Sequence, residues 1–325
     1  MTTLKIYKTI IQVFLTFRYG SGCVFAFVFL TGCSLSQAQQ QKDRKIAVLI
    51  VDGFSNHDWK QTTALTSWIL KESERFIVDI STIPADSAGQ SAWLPPFNKY
   101  DVVIQNTNNI HNTKLRWPSR AERELEKYVR NGGGLYILHS ANNAFPHWKA
   151  YDTMIGLGWR SDTVGYALEI DSKRNIIRIP PGHGMGTGHG DRFNAVINIL
   201  NRHPINTAYP EQWQTANTEV YYFPRGPAEN LTVLSYAYDS TSTHRMWPVE
   251  WIVTYGQGRV YNSSMGHLWK GETYPVAYRC VGYQTTVVRA VEWLATGKVT
   301  YPLPENFPTK DSPSLKSETE FINSR

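Results

Sequence analysis

The sequence contains little cysteine, and this excludes a covalently stabilised fold. Three cysteines occur in 325 residues, and two of them, Cys23 and Cys33, stand near the start of the chain. Cys280 is the only cysteine after them, so no disulfide framework can form in the rest of the chain. Hydrophobic residues make up 42% of the sequence, which is enough to bury a large core without such help.

The excess of positive charge is also small. The chain has 33 Lys and Arg against 27 Asp and Glu, a formal charge of +6. Residues 1–32 hold three of these basic residues, Lys5, Lys8 and Arg18, and no acid, so 30 basic and 27 acidic residues remain, a charge of +3. A small charge without a basic run argues against nucleic acid as a partner.

Two catalytic motifs are missing. The glycine-rich segment 182–190 lacks the Lys-Ser/Thr of a phosphate-binding loop and the βαβ context of a dinucleotide fingerprint, so no nucleotide cofactor is predicted. Two interpretations of this segment remain: a mobile flap that closes over a ligand with His183 and His189, or a surface loop without a role.

Ser140 lacks the G-x-S-x-G surroundings of a hydrolase nucleophile, and a helix cap is the commoner task for serine there.

The N-terminal segment is typical of a signal peptide. The apolar run Val24–Leu30 follows basic residues, and about ten apolar residues are too few for a permanent membrane span. The run ends in Leu-Thr-Gly-Cys at residues 30–33, which resembles the lipobox of bacterial lipoproteins. Residues 1–32 are therefore predicted to be a signal peptide, and Cys33 the lipidated first residue of the mature protein.

This prediction sets the location of the rest of the chain. Residues 33–43 are polar and rich in Gln, which favours a flexible tether. We expect an exported bacterial lipoprotein, anchored to a membrane in the periplasm or at the cell surface. Ordinary signal cleavage near Ala38 is the alternative.

The remaining sequence alternates short apolar runs with amphipathic segments, which predicts an α/β fold with a parallel sheet. The run 45–52 is almost continuously apolar and rich in β-branched residues, as expected of a central strand buried on both faces. The second half is less regular and richer in strands. Strands are predicted at 45–52, 76–80, 100–105, 135–138, 166–170, 176–180, 193–199, 219–223, 231–236, 250–254 and 258–262, and helices at 60–74, 119–130 and 285–295.

Three histidines follow predicted strands directly or in the next loop. His57, His139 and His267 stand after the strands 45–52, 135–138 and 258–262. The carboxyl ends of parallel strands meet at one edge of a sheet, where ligands bind. Neutral imidazole suits both acid–base chemistry and divalent metals, zinc above all. We predict a shared site for the three residues, although each alone is commonly just a hydrogen-bonded loop residue.

Aromatic and Asn-rich loops near these histidines suggest a carbohydrate ligand. Eleven tryptophans are many for this length, and a flat ring can stack on the apolar face of a sugar. Trp148 and Trp159 lie close to the predicted site in sequence. The residues predicted to bind substrate are Trp59, Asn142, His189 and Trp269.

Several segments together resemble the ThuA-like (trehalose-utilisation) family over about residues 45–307. The polar residues 308–325 would form a tail beyond a domain at 44–307. The segments are His57-Asp58-Trp59, the Gly-Gly-Leu-x-x-Leu-His-Ser-Ala run that ends at Ala141, His203-Pro204-Ile205, Glu219-x-Tyr221, Arg225–Leu234, Gly258-Arg-Val through Gly266-His267, Arg279–Tyr283 and Glu292–Thr300.

The resemblance implies a fold like that of class I glutamine amidotransferases: a flavodoxin-like, doubly wound, mostly parallel sheet with helices on both faces, here with β-rich insertions. His139 occupies the position of the amidotransferase nucleophilic cysteine, so that activity is not expected. The family implies a role in sugar metabolism, on keto-glycosides that partner sugar dehydrogenases produce. The chain departs from the family pattern at Thr218, where Asp is usual, and at Thr215, where His is common.

The leading hypothesis is an exported enzyme that processes an oxidised (keto) sugar. His139, Glu219 and His267 would be catalytic, with Glu219 a general acid/base or a further ligand. The imidazoles of His57, His139 and His267 would bind a divalent metal, most plausibly zinc. The alternatives are a non-catalytic carbohydrate-binding surface lipoprotein and a metal-free hydrolase that uses Ser140.

Overall fold

A five-stranded parallel sheet forms the centre of the computed structural model, which describes residues 44–273 and 275–323. The strand order is β2-β1-β3-β4-β14, and all four neighbouring pairs are parallel. With β14 as the fifth strand, this is the flavodoxin-like order 2-1-3-4-5, so the predicted fold class is confirmed. The strands are β1 (Ile46–Asp52), β2 (Phe76–Thr82), β3 (Val102–Gln105), β4 (Gly134–Leu138) and β14 (Gly258–Ser263).

Helices cover both faces of this sheet. Along β1, Val48 and Ile50 face one apolar core while Leu49 and Val51 face the other. Burial on both faces explains why β1 is a continuous apolar run, rich in β-branched residues, rather than an alternating one. Helices α1 (Trp59–Glu72) and α6 (Val281–Thr296) cover the first face, and α3 (Ser119–Arg130) and α4 (Lys149–Ile155) the second.

One glycine permits the close packing of α6 on the sheet. A Cβ atom at Gly134, the first residue of β4, would lie 2.9 Å from the Cβ and the carbonyl oxygen of Leu294. Such a distance is shorter than real Cβ contacts, so a larger residue would push the helix away. The glycine run before β4 thus ends the preceding helix and also makes room for α6.

Antiparallel strands extend the sheet beyond β14 and form the predicted β-rich insertions. The order continues β14-β13-β12-β8-β9, with β5, β6 and β11 attached beside β13, while β7 and β10 form a separate ribbon. These strands are β5 (Tyr166–Ile170), β6 (Ile176–Ile179), β7 (Gly188–His189), β8 (Val196–Ile199), β9 (Gln212–Gln214), β10 (Tyr221–Tyr222), β11 (Arg225–Gly226), β12 (Leu231–Tyr238) and β13 (Met246–Tyr255).

The structure differs from the sequence predictions in several short elements. The sequence prediction did not include α2 (Ser87–Ala92), α4, α5 (Val276–Arg279) or α7 (Glu318–Asn323). The chain beyond residue 308 packs on the domain, since Leu315 pairs with Cys280 and the buried ring of Phe321 lies 5.3 Å from that of Trp68.

The N-terminal predictions lie outside the described residues. This applies to the signal peptide 1–32, to Cys33 and to the tether 33–43. Within residues 44–273 and 275–323, no helix combines the length and the apolar character that crossing a membrane requires.

Candidate functional site

Three parallel strands direct one histidine each to the same edge of the sheet. His57 lies in the loop after β1, His139 follows β4 at once, and His267 lies shortly after β14. In a sheet of this order, chain connections leave β1 and β3 toward opposite faces, which opens a crevice at the carboxyl ends of the strands. The site lies at this crevice.

The three imidazoles, here called the histidine cluster, are in mutual contact. Ring centroids are 4.9 Å apart for His57 and His139, 4.8 Å for His57 and His267, and 5.2 Å for His139 and His267. One ligand nitrogen from each ring lies within 4.8 Å of the others, and all three residues are buried. The cluster is therefore a candidate metal site.

His139 stands on a tight elbow. Its φ of 43° is in the left-handed region, and it opens a 3-10 turn, His139–Asn143, instead of the α-helix start that the sequence suggested. The Nδ1 atom lies 2.8 Å from the carbonyl oxygen of Ser264. This strained position for a non-glycine residue aims the ring from the end of β4 into the crevice.

The carboxyl group of Glu219 lies next to the histidine cluster. Glu219 Oε1 lies 3.1 Å from Nε2 of His267 and 3.5 Å from Nε2 of His189, while its Oε2 lies 3.7 Å from Nε2 of His139. Burial raises the pKa of Glu219 to about 8, and the nearby Arg192 opposes this shift. A carboxyl with such a pKa exchanges protons near neutral pH.

Burial also keeps the imidazoles neutral. It lowers the pKa of His57 to about 4 and that of His267 to about 2, and the pKa of His139 well below its usual range. Mutual repulsion within the cluster adds to the effect for His139 and His267. Neutral imidazole is the form that binds metals, so the rings do not need to lose a proton first.

Two rings of the cluster, His57 and His267, line a cavity of about 340 Å³. The His139 ring is not among the lining residues of the described chain but has its Nε2 3.4 Å from the hydroxyl of the lining residue Tyr221. Trp159 and Trp269 also line the cavity, and the Trp269 ring, 46% exposed, stacks on His267 at 5.5 Å. The cavity is lined by Asn56, His57, Ile110, His111, Asn143, Trp159, His189, Arg192, Glu219, Tyr221, His267 and Trp269.

Only two of the four residues predicted to bind substrate line the cavity in the described part of the chain. His189 and Trp269 line the cavity, whereas Trp59 and Asn142 are not among its lining residues in the described part of the chain. Trp59 begins α1, and the Asn142 side chain is fully buried behind the elbow. The next residue, Asn143, lines the cavity instead, since a 3-10 turn rotates successive side chains by about a third of a turn.

Hydrogen bonds with buried residues fix the glycine-rich segment 182–190 to the rest of the domain. The buried Arg225 guanidinium donates hydrogen bonds to the carbonyl oxygens of His183 and Met185, the latter at 2.7 Å. Thr187 Oγ1 donates within the same region, 2.7 Å from the carbonyl oxygen of Phe223. The segment thereby places His189 on the cavity, while His183 is exposed outside it.

Sequence reasoning missed His111, Asn143, Arg192 and Tyr221 as cavity residues. Tyr221 stands in a segment noted for other reasons, and its hydroxyl lies 3.4 Å from Nε2 of His139. Arg192 follows the glycine-rich segment, and no local pattern marks it. Ser140, the predicted alternative nucleophile, is buried and does not line the cavity among the described residues.

Comparison with known proteins gives the family. The family model described as "ThuA: Trehalose utilisation" matches residues 47–294. The chain belongs to the ThuA family. A structure described as a putative ThuA-like protein from Parabacteroides merdae is 31% identical, with a TM-score of 0.77 over 84% of this chain and 98% of that one. No curated protein gives a significant match.

Other solved structures resemble this chain only distantly. A cytoplasmic protein from Salmonella typhimurium is 14% identical, with a TM-score of 0.41 over 77% of this chain and 100% of that one. An exo-β-1,4-mannosidase from an Opitutaceae bacterium is 15% identical, with a TM-score of 0.34 over 83% of this chain and 39% of that one. Neither likeness carries an argument about function.

Proposed function

We propose that the protein is an enzyme that processes an oxidised sugar or glycoside, one bearing a keto group, at the histidine cluster with a bound divalent metal ion. The observation that carries this proposal is the close grouping of three buried, neutral imidazoles and one buried carboxyl beside a cavity that His57, His267 and Glu219 line. The family description, trehalose utilisation, supports a carbohydrate as the substrate class.

The cluster offers neutral imidazole nitrogens, which divalent metals such as zinc bind. These nitrogens lie within 4.8 Å of one another, whereas tetrahedral zinc with bonds of about 2.1 Å needs nitrogens roughly 3.4 Å apart. Side-chain rotation would have to bring the nitrogens closer together when an ion binds. When bound, the ion would polarise the carbonyl oxygen of the sugar.

Glu219 is the proton carrier in this proposal. Its pKa of about 8 allows it to hold a proton at neutral pH and to release it to a sugar oxygen, or to accept one from the carbon beside the carbonyl. The Tyr221 hydroxyl, next to His139 Nε2, faces the same cavity and can hold a sugar hydroxyl in place.

The cavity walls fit a sugar ring. Trp159 and Trp269 offer flat surfaces for the C–H faces of a pyranose, and Asn143, His189 and Arg192 offer polar atoms for its hydroxyls. A keto-sugar arises when a sugar hydroxyl is oxidised, so a sugar dehydrogenase would supply the substrate.

We also propose that the protein works outside the cytoplasm as a lipoprotein. The support is the apolar run Val24–Leu30 followed by Leu-Thr-Gly-Cys. Mass spectrometry of the N-terminal peptide should find a diacylglycerol on Cys33, and Cys33→Ala should release the protein from the membrane fraction. A mature protein that begins near residue 39 without lipid would contradict the anchor.

The enzymatic proposal is tested by turnover of 3-keto-glucosides in the presence of zinc. We expect wild-type protein to consume one of them and His139→Ala to lose at least about 100-fold of the rate. Full turnover by His139→Ala would overturn the role of the histidine cluster.

The rival function is sugar binding without catalysis, and the exposed ring of Trp269 at the cavity supports it. Isothermal titration separates the two. A binding protein holds sugars equally well after His57→Ala and His139→Ala and shows no turnover with any keto-sugar.

A further inference from the structure

The three rings of the histidine cluster differ in the hydrogen bonds that hold their other nitrogen. His139 Nδ1 lies 2.8 Å from the carbonyl oxygen of Ser264. A carbonyl oxygen only accepts, so Nδ1 carries the ring proton. The lone pair of neutral His139 is therefore on Nε2, which points toward Glu219 and Tyr221 at the cavity.

A chain of directed hydrogen bonds fixes His57 in the same way. The amide of Ile110 donates to Asn108 Oδ1 at 2.9 Å, so Asn108 Nδ2 is the atom that donates to Asn56 Oδ1 at 2.6 Å. Asn56 Oδ1 must then accept from His57 Nδ1, 2.9 Å away. His57 thus also carries its proton on Nδ1 and leaves the lone pair on Nε2 for a ligand.

His267 has the opposite arrangement. Arg192 Nη1 lies 3.2 Å from Nδ1 of His267, and a guanidinium only donates. Nδ1 must hold the lone pair, so the proton of neutral His267 is on Nε2, 3.1 Å from Glu219 Oε1. Glu272 pairs with Arg192 and keeps the guanidinium in this position.

This polarity opposes metal binding by His267. Coordination through Nε2 would move the ring proton to Nδ1, where it would face the N–H of Arg192. A donor would then meet a donor, and the partly buried Arg192–His267 contact would become repulsive. The hydrogen bond from His267 to Glu219 would be lost as well.

We propose that Arg192 is a positioning residue that reserves His267 as the hydrogen-bond donor to Glu219, so that His57 and His139, and not His267, bind the metal ion. This inference rests on the proposed metal-assisted function. In this arrangement His57 and His139 are the metal ligands. His267 instead donates a hydrogen bond to Glu219 and orients its carboxyl beside the ion.

The tautomers can be measured without any metal. In ¹⁵N-labelled full-length protein freed of metal, long-range ¹H–¹⁵N spectra should show the proton of His267 on Nε2 and those of His57 and His139 on Nδ1. Arg192→Met removes the donor at constant length and should shift His267 toward the Nδ1–H form, while Arg192→Lys should preserve the wild-type form. A wild-type His267 with its proton on Nδ1 would overturn the inference.

Zinc affinity by chelator competition tests the division directly. We expect His57→Ala and His139→Ala to weaken zinc binding by about 100-fold, and His267→Ala by less than about threefold. Arg192→Met should tighten binding by about tenfold, because His267 becomes a further ligand, and adding His267→Ala should cancel this gain. Equal losses for His267→Ala and His139→Ala would refute the division but leave the metal site intact. Unchanged zinc binding in His139→Ala would refute the proposed metal function itself.

Discussion

Glu219 Oε1 and His267 Nε2 lie 3.1 Å apart at the wall of the cavity, with both side chains buried. The contact joins a carboxyl from the segment before β10 to an imidazole from the loop after β14, residues 48 positions apart in sequence. It places a group able to exchange protons near neutral pH beside the imidazoles of His139 and His189 as well.

Glu219→Gln should remove the proton carrier without disturbing the fold. Its amide oxygen can still accept from His267, so we expect an unchanged melting temperature and a loss of about 10²–10⁴ in kcat. Glu250→Gln is the matched control, because burial also raises the pKa of Glu250, which lies in β13 and outside the cavity lining of the described chain. Steady-state kinetics decide; equal rates for Glu219→Gln and wild type would contradict the role.

Asn143→Leu should stabilise the free protein and weaken sugar binding. Asn143 lines the cavity, and its buried Oδ1 has no hydrogen-bond partner among the described residues. Leucine removes the unsatisfied Oδ1, whereas a bound sugar loses a hydrogen bond from Nδ2 of Asn143 of about 1 kcal/mol, which corresponds to a roughly fivefold rise in KM. Thermal melting and kinetics together check the opposite signs. A lower melting temperature with an unchanged KM would show that Asn143 serves the fold and not the ligand.

Trp269→Ala should raise KM more than it lowers kcat. The exposed ring stacks on His267 and offers a platform that touches no reacting atom in our proposal. Loss of one aromatic contact of about 1 kcal/mol corresponds to a roughly fivefold weaker affinity for sugar. Trp59→Ala is the comparison, since Trp59 lies at the start of α1 outside the cavity lining of the described residues. Equal effects of the two substitutions would argue against stacking at Trp269.

Acid should destabilise the protein partly through His203. Burial lowers the pKa of His203 to about 4, against about 6.5 in the unfolded chain. The unfolded state therefore binds more protons between these values, so the free energy of unfolding falls as pH drops from about 6.5 to 4. The full effect has an upper limit of about 3 kcal/mol, reduced by solvent at the half-buried ring.

His203→Asn isolates this contribution. Asparagine keeps an acceptor at the cap of the 3-10 helix Pro204–Asn206, where His203 Nδ1 now accepts from the Ile205 amide, but it does not titrate. Denaturant unfolding at several pH values should show a shallower acid slope for the variant. Identical slopes for variant and wild type would mean that His203 titrates normally in the folded state.

The central sheet could be predicted from the sequence because its signals are local. A continuous apolar run such as residues 46–51 indicates burial on both faces, and Gly134–Leu138 is framed by glycine and polar residues. The rule that parallel strands share a carboxyl edge then placed His57, His139 and His267 near one another. Elements without such signals were missed, as in the short helix Lys149–Ile155.

The details of the site depend on contacts between distant segments. Arg192 reaches His267 across 75 positions, and no sequence pattern marks it. The sequence does not show that Asn143, and not Asn142, lines the cavity. This depends on the turn after β4, which begins with the left-handed φ of His139. The packing of Phe321 on Trp68 likewise could not be predicted, because no sequence pattern within the polar residues 308–325 marks this contact.

The most direct test of the account is the metal content of the purified full-length protein after a zinc soak and removal of loosely bound metal, measured by elemental mass spectrometry. We expect about one zinc ion per wild-type chain. We also expect loss of that zinc in His139→Ala and its retention in His183→Ala, whose imidazole is exposed and does not line the cavity. A wild-type chain without zinc, or a His139→Ala chain that retains it, would contradict a metal site at the histidine cluster.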